Sequence, residues 1–250
     1  MENFVKEALD REKRIDGRSF LDYRKIEIIN NVSTKAEGSA LVKLGSTKVV
    51  AGVKLGIGEP FEDSPNEGIL IVNAEFSPLS SPNIEPGPPD ENAIELARII
   101  DRIVRESQMI DLEKLFIEEG KVWTVFVDLT VLDMKGNLID AAALATVRAL
   151  LNSKIPKIEE GKIIRGEFVD NLPIRYKPLS VTICKYKNSF LLDPTNEEEE
   201  LVDVKIVIGV RDDDKICTMQ KQGMGTLHIN DIEKCLDLAI EKSRELRRLI

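Results

Sequence analysis

The sequence predicts an α+β protein built as two lobes, and two observations lead to this fold class. In each half of the chain, short apolar strands separated by turn residues come first, and a helix comes last. The 250 residues are enough for one large domain or two closely packed lobes with a sizeable core. We expect a first lobe over residues 1–156, a charged and irregular connecting segment over 157–178, and a second lobe over 179–250.

The elements of the first lobe follow from local patterns. An initial helix is predicted over 2–14, before a turn at Asp16-Gly17-Arg18. Alternating or valine-rich runs predict strands over 25–29, 32–35, 68–76 and 121–132, and a hairpin that pairs 40–44 with 48–54. A short helix is expected over 112–116. An alanine-rich helix is expected over 140–151, with Asp140 as its N-cap and Pro156 as its stop.

The second lobe has its own set of elements. Four strands are predicted over 179–185, 189–192, 201–210 and 215–220, and the triplet Asp212-Asp213-Asp214 is expected to form the turn between the last two. Asn230 is expected to cap a final helix over 231–249.

Charge and composition exclude several classes of protein. The net charge of −9 argues against nucleic-acid binding by bulk charge, so any such contact must be a local patch. Three unpaired cysteines and one histidine, His228, do not form a metal-binding pattern, so we expect no metal and no cofactor. The cysteine usage, the lack of an apolar segment of membrane-spanning length and the charged N-terminus favour a cytoplasmic protein that contacts no membrane.

The segment from Glu85 to Gln108 is the most informative local feature. A proline-dense loop stops at Asp90, a good N-cap, and an amphipathic helix begins at once. Arg98, Arg102 and Arg105 share one face of this helix and could bind an anion such as an RNA phosphate. However, Glu95 precedes Arg98 by three residues, Asp101 precedes Arg105 by four, and Glu106 follows Arg102 by four. Helical ion pairs would leave little free positive charge, and the residues alone favour this paired arrangement.

Other polar groups have simple structural interpretations. The chain contains no phosphate-binding loop, dinucleotide fingerprint or hydrolase motif. His228 is interpreted as a residue at the start of a helix and not as a catalyst. The acidic run Glu197–Glu200 could hold a metal or a general acid, but a solvated loop is the favoured interpretation. Asp203 opens an apolar strand, so it could be held at a fixed place.

Several motifs resemble the RNase PH family over essentially the whole chain. Two N-terminal segments, 14–18 (RIDGR) and 37–49 (EGSALVKLGSTKV), look like its N-terminal signature. The stretches 86–98 (PGPPDENAIELAR) and 136–141 (GNLIDA) resemble the non-catalytic branch of this family found in the archaeal exosome. The resemblance implies a fold of two βα lobes of the kind first seen in a ribosomal protein domain.

The resemblance also implies partners. Three copies of such a subunit alternate with three copies of a catalytic relative in a six-membered ring, a trimer of heterodimers. RNA 3′ ends enter the ring through its central channel and are degraded by phosphorolysis. RNA-binding cap proteins gather above the ring. Arginines on the helix after the proline loop are implicated in RNA contact, which points to Arg98 and Arg102, with Arg105 as a looser candidate.

The chain departs from the active members of the family at the phosphate site. They carry a Gly-Gly-Thr-Arg-like turn, but here Leu138 takes the arginine position, and Asp140 would repel phosphate from the helix start. Of the two aspartates of active members, Asp203 matches the second, whereas only Glu197–Glu200 are available for the first. We therefore expect no catalytic residue and a non-catalytic, RNA-binding subunit that helps to shape its partner's active site. Two alternatives stay open: an active homohexameric exoribonuclease of tRNA 3′ ends, and a scaffold without RNA contact.

Overall fold

A six-stranded sheet forms the centre of the first lobe in the computed structural model, which describes residues 2–250. Its strands are β1 (Ile26–Asn30), β2 (Gly38–Leu44), β3 (Thr47–Gly58), β4 (Ile69–Phe76), β5 (Phe116–Glu118) and β6 (Lys121–Asp133). They lie in the order β1-β2-β3-β6-β4, with β5 paired to one end of β6. Only β4 runs parallel to its neighbour, so the chain must cross the sheet between β4 and β6.

Helices α2 (Glu91–Glu106) and α3 (Leu138–Leu151) pack on this sheet, whereas α1 (Glu2–Asp10) buries Val5 and Leu9 against Cys184, Tyr186 and Leu191 of the second lobe. Helix α2 makes the crossover from β4 to β6 together with a 3₁₀ turn at Leu112–Leu115. Helix α3 packs against β2 and β3 on one side and against the second lobe on the other. Its run of alanines allows this close approach, and most of its side chains are fully buried.

The second lobe is a four-stranded antiparallel sheet covered by a helix. Its elements are β9 (Leu179–Tyr186), β10 (Ser189–Leu192), α4 (Asn196–Glu199), β11 (Val204–Val210), β12 (Ile216–Gln222) and α5 (Ile229–Leu246). The strand order is β10-β9-β11-β12, which leaves β12 at an edge. One apolar cluster includes Val127 of β6, Ala145 of α3 and Ile208 of β11, so the two lobes share a core.

The predicted α+β class and nearly all predicted elements are confirmed, but the chain between the sheets differs from the prediction. Residues 157–171 are not irregular, because β7 (Lys154–Glu159) and β8 (Lys162–Asn171) form a hairpin there; only 172–178 lie outside the strands. Pro156 does not stop α3, because the helix ends at Leu151 and Pro156 lies within β7. The division into lobes at 156 and 179 stays a prediction.

Three further local predictions were wrong. Residues 32–35 are not a strand, because Asn31 turns the chain with a φ of 54° and the hydroxyl of Ser39 accepts a hydrogen bond from the Ser33 amide. Asn230 does not cap α5: His228 holds the cap position, and its N–H donates to the Asp231 carboxylate. The 201–210 strand starts only at Val204, because a short helix precedes it. In the described part of the chain, no helix is long and apolar enough to cross a membrane.

Candidate nucleic-acid interface

The proline loop and α2 form as predicted and place the arginine face on the surface. The Asp90 carboxylate accepts a hydrogen bond of 2.9 Å from the Ala93 amide, so the helix begins directly after the prolines. Its apolar face is buried and consists of Ala93, Leu96, Ile99, Ile100, Ile103 and Val104. Because this face is anchored against β4 and α3, the opposite face must point to solvent, where Arg98, Arg102 and Arg105 are all exposed.

Two of the three ion pairs that the helical spacing favoured are not formed. Within residues 2–250, the Arg98 side chain makes no hydrogen bond or ion pair, and the Glu95 carboxylate instead accepts a hydrogen bond of 2.7 Å from the Gln222 amide. Arg102 does not pair with Glu106 within the described chain; its Nη1 donates to Oε1 of Gln220 at 2.8 Å. These two guanidinium groups therefore keep their positive charge unneutralised by any ion pair.

Arg105 differs from its two neighbours, because its predicted ion pair is present. Its Nη2 lies 2.7 Å from Oδ1 of Asp101 and also donates to the Leu70 carbonyl at 3.0 Å. The hydrogen bonds to Asp101 raise the pKa of Arg105 above its usual value. This arginine shares its charge with a carboxylate, so of the three it has the least unpaired positive charge to offer an anion.

The arginine face borders two surface grooves. One, of about 450 Å³, lies between α2 and β4 and is lined by all three arginines. The other, of about 470 Å³, lies between α2 and β12 and is lined by Arg98, Arg102 and Gln220. Neither groove is lined by an aromatic side chain. The two grooves therefore present guanidinium groups that suit phosphates, and their linings contain no aromatic ring on which a base could stack.

The start of α3 differs from the prediction. Asp140 is not the N-cap: the helix begins two residues earlier at Leu138, and Asn137 holds the cap position with a φ of 48°. Asp140 is fully buried and turned toward β9, where it accepts hydrogen bonds from the Ser180 hydroxyl and from the amide and hydroxyl of Thr182. Burial raises the pKa of this carboxyl, and the donated hydrogen bonds oppose part of that rise.

The N-terminus of α3 borders a cavity of about 230 Å³ and meets a carboxylate of the second lobe there. Oε1 of Glu199 accepts a hydrogen bond of 3.1 Å from the Asn137 amide. Gly136, with a φ of +87°, packs so closely that a Cβ would lie 2.2 Å from the Pro194 carbonyl oxygen. The Glu199 carboxylate thus stands at the helix end where a free anion would otherwise bind, and its negative charge would repel that anion.

The acidic run is not a solvated loop. Residues 196–199 form α4, capped by Thr195, and Glu198 is buried against the guanidinium of Arg14, with hydrogen bonds of 2.9 and 2.5 Å. Asp203 is exposed, but its carboxylate is held by a hydrogen bond from the Lys187 amide. The triplet at 212–214 forms the predicted turn between β11 and β12. In the chain from residue 2 onward, no histidine, cysteine and carboxylate groups cluster in a way that could hold a metal.

Sequence reasoning missed two sets of residues. Arg18 and Arg24 form ion pairs with the fully buried Asp193, at 2.9 and 2.6 Å, and join the N-terminal segment to the second lobe. The RIDGR motif, which contains Arg18, marked the N-terminal side of this junction, but no sequence pattern indicated Asp193 as the acid that binds it. The second set is Gln220 and Gln222, whose alternate positions on β12 place them on the same face.

Comparison with known proteins agrees with this architecture. The profile of the 3′ exoribonuclease (RNase PH) family matches residues 22–156 with its domain 1 and residues 177–242 with its domain 2. A protein of Archaeoglobus fulgidus named exosome complex component Rrp42 is 50% identical over 246 residues, covering 98% of this chain and 93% of its own. A protein of the same name from Methanothermobacter thermautotrophicus is 48% identical, covering 97% and 91%.

A solved structure extends the similarity to three dimensions. A chain of the Archaeoglobus fulgidus exosome with RNA bound to the active site superposes with a TM-score of 0.92 at 50% identity, covering 99% of this chain and 96% of that one. Both domain profiles and this superposition span nearly the whole molecule, so the chain belongs to the RNase PH family of 3′ exoribonucleases.

Proposed function

We propose that this chain is the non-catalytic, RNA-binding subunit of an archaeal exosome, a complex that degrades RNA from the 3′ end by phosphorolysis. Its partners are a catalytic RNase PH-like subunit, with which it alternates in a six-membered ring, RNA, and the RNA-binding cap proteins. The names of the relatives and the RNA-bound exosome structure support this assignment. We also propose the cytoplasm as its location, in line with the scattered cysteines.

The charges around the start of α3 carry the proposal that the chain is catalytically inactive. Phosphorolysis needs a bound phosphate with positive charge beside it. Here Leu138 offers no charge, and the Asn137 amide is already bonded to Glu199. The cavity of about 230 Å³ beside this helix end is lined by Glu199, whose negative charge opposes an anion, and the ammonium of Lys205 in the same lining lies 3.7 Å from that carboxylate. Purified chain that shortens RNA in a phosphate-dependent manner, with no partner present, would overturn this part of the proposal.

The arginine face carries the proposal of RNA contact. Arg98 is unpaired within the described residues, and Arg102 is held only by a neutral amide, so both present a full positive charge to the grooves. Arg105 is engaged by Asp101 and contributes less. The order of importance that follows is Arg98 and Arg102 first, and Arg105 last. Bound in this way, RNA would be held for cleavage by the neighbouring catalytic subunit.

The test uses the ring assembled by co-expression with the catalytic relative. Arg98→Glu together with Arg102→Glu should weaken binding of single-stranded RNA and reduce the slope of log affinity against log salt by about 1.4, since each single-strand contact contributes about 0.7. Arg105→Ala should change the slope less. The matched control is Arg248→Ala, an exposed arginine near the other end of the chain. If the double variant keeps wild-type affinity and slope, the chain is a scaffold without RNA contact.

A further inference from the structure

Two glutamines of the second lobe determine which groups the arginine face contacts. Gln220 and Gln222 lie on the edge strand β12 and reach α2 of the first lobe. Gln220 Oε1 accepts from Arg102 at 2.8 Å, and Gln222 Nε2 donates to Glu95 at 2.7 Å. Both bonds join one lobe to the other, and both involve residues for which the helical spacing favours a different partner.

The first glutamine orients an arginine without neutralising it. An amide oxygen restrains the Arg102 guanidinium through one N–H and leaves the remaining N–H groups available, whereas a carboxylate at the same place would cancel its charge. Arg105 provides the contrast within the same helix, because its acceptor is the carboxylate of Asp101.

Gln222 affects Arg98 indirectly, because it binds Glu95, the acid that could otherwise pair with Arg98. Glu95 and Arg98 are three residues apart on the surface of α2, which is an ion-pairing distance along a helix. The Gln222 amide instead holds the Glu95 carboxylate on the β12 side, and Arg98 makes no ion pair within residues 2–250. A glutamine on the other lobe thereby keeps this acid away from the arginine.

We propose that Gln220 and Gln222 are positioning residues that keep Arg102 and Arg98 oriented and positively charged for phosphate contact. This inference rests on the proposed function, because it assumes that the two arginines contact RNA. It also makes the charge of the face depend on how the second lobe sits against α2: a displacement of β12 would allow Glu95 to pair with Arg98 and Glu106 to pair with Arg102.

The first experiment changes Gln220 in the assembled ring and measures binding of a fluorescent oligoadenylate in phosphate-free buffer over a series of salt concentrations. Gln220→Glu keeps the shape but supplies a carboxylate, so the salt slope should fall by about 0.7, the value for one lost single-strand contact. Gln220→Ala leaves the charge of Arg102 in place but releases its side chain. Affinity should then fall about 2- to 10-fold with little change of slope, which is the size expected for ordering one long side chain.

The second experiment changes Gln222 and tests rescue. Gln222→Ala should lower both affinity and slope, because the freed Glu95 pairs with Arg98. Adding Glu95→Gln to this variant should restore both, whereas a purely structural role of Gln222 would not be rescued by removing an acid. Glu95→Gln by itself is the matched control and should keep the wild-type slope. A crystal structure of the Gln222→Ala ring should place the Glu95 carboxylate within ion-pairing distance of Arg98.

The outcomes separate the two proposals. If Arg98→Glu with Arg102→Glu leaves RNA binding unchanged, the proposed RNA contact fails. If that double variant weakens binding while the Gln220 and Gln222 variants keep wild-type affinity and slope, RNA contact stands and the positioning role is overturned. A Gln222→Ala structure in which Glu95 stays away from Arg98 overturns the role of Gln222 irrespective of any RNA measurement.

Discussion

Replacement of Asp140 by alanine should strongly destabilise the folded chain, and replacement by asparagine should not. The carboxylate lies at the junction of α3 and β9. Oδ2 accepts from the Thr182 amide, the Asn137 side chain and the Tyr23 hydroxyl, each at 3.0 Å. Oδ1 accepts from the hydroxyls of Ser180 and Thr182 at 2.8 and 2.9 Å. Asp140 is fully buried, so water cannot replace these acceptors.

The size of the stability loss depends on which hydrogen-bond donors can reorient toward another acceptor. In Asp140→Ala, the Thr182 amide and the Asn137 side-chain N–H lose their acceptor and cannot reorient, whereas the hydroxyl groups can rotate. Each stranded buried donor costs about 1–3 kcal/mol, so the free energy of unfolding should fall by about 2–6 kcal/mol. For a domain of this size, the melting temperature should then fall by about 4–24 °C.

Asparagine keeps an acceptor where it is needed. Its Oδ1 can take the place of the Asp140 oxygen that serves the Thr182 amide and Asn137. Its NH₂ group then faces two hydroxyls, which can turn to accept. Asparagine also removes a buried charge. The expected loss is about 1 kcal/mol or less, the contribution of one hydrogen bond.

The assay is thermal and urea unfolding of the three proteins at one fixed concentration, followed by circular dichroism, with the urea m-value as the check on two-state behaviour. Asp128→Ala, which removes an exposed carboxylate on β6 that accepts from Asn73, is the matched control. It should lie within about 0.5 kcal/mol of wild type. If asparagine destabilises the chain as much as alanine does, the negative charge of Asp140 matters and the argument from acceptor geometry is wrong.

Two further predictions concern the packing at Gly136 and the acid stability of the β11–β12 turn. Gly136→Ala should destabilise the chain by about 1–3 kcal/mol more than Gly161→Ala. Both glycines have a positive φ, but an added Cβ meets the Pro194 backbone only at Gly136. Equal losses of stability in urea unfolding would contradict the tight packing at Gly136. Hydrogen bonds from Arg211 hold the pKa of Asp213 at about 2, below its usual 3.8. This ion pair therefore stabilises the folded state above about pH 4, and its contribution is lost as the pH falls toward 2. Unfolding measured from pH 6 to pH 2 should therefore show a stability difference between wild type and Asp213→Asn that shrinks in acid; a difference independent of pH would refute the assignment.

Much of the fold could be predicted because its signals are local. The alternation of apolar residues in β3 and the stripe of α2 have periods of two and 3.6 residues, which a short window of sequence reveals. The Asp90 cap was predictable for the same reason, since its acceptor and donor lie three residues apart. The arginine face at 98, 102 and 105 also followed from spacing alone.

The errors arose where a distant partner decides the outcome. Asp140 is a residue type that often caps helices, but hydrogen-bond donors on β9, about forty residues away in sequence, hold its side chain in the core. Glu198 belongs to a charge run that normally stays in water, yet Arg14 at a separation of 184 residues buries it. The residue type determined which groups these side chains could bind. Only the tertiary fold determined whether such a group lies within hydrogen-bonding distance.

The sequence by itself determined the two-lobed α+β class, the rigid entry into α2 and the set of arginines that a phosphate could meet. Only the tertiary structure decided how much charge those arginines present. An ion pair along a helix contributes only about 0.2–0.5 kcal/mol, so a well-placed amide from another element is enough to redirect it. Arg105 keeps its local partner Asp101, whereas Gln220 binds Arg102 in place of Glu106 and Gln222 binds Glu95 in place of Arg98, because the fold of the second lobe brings that edge strand against α2.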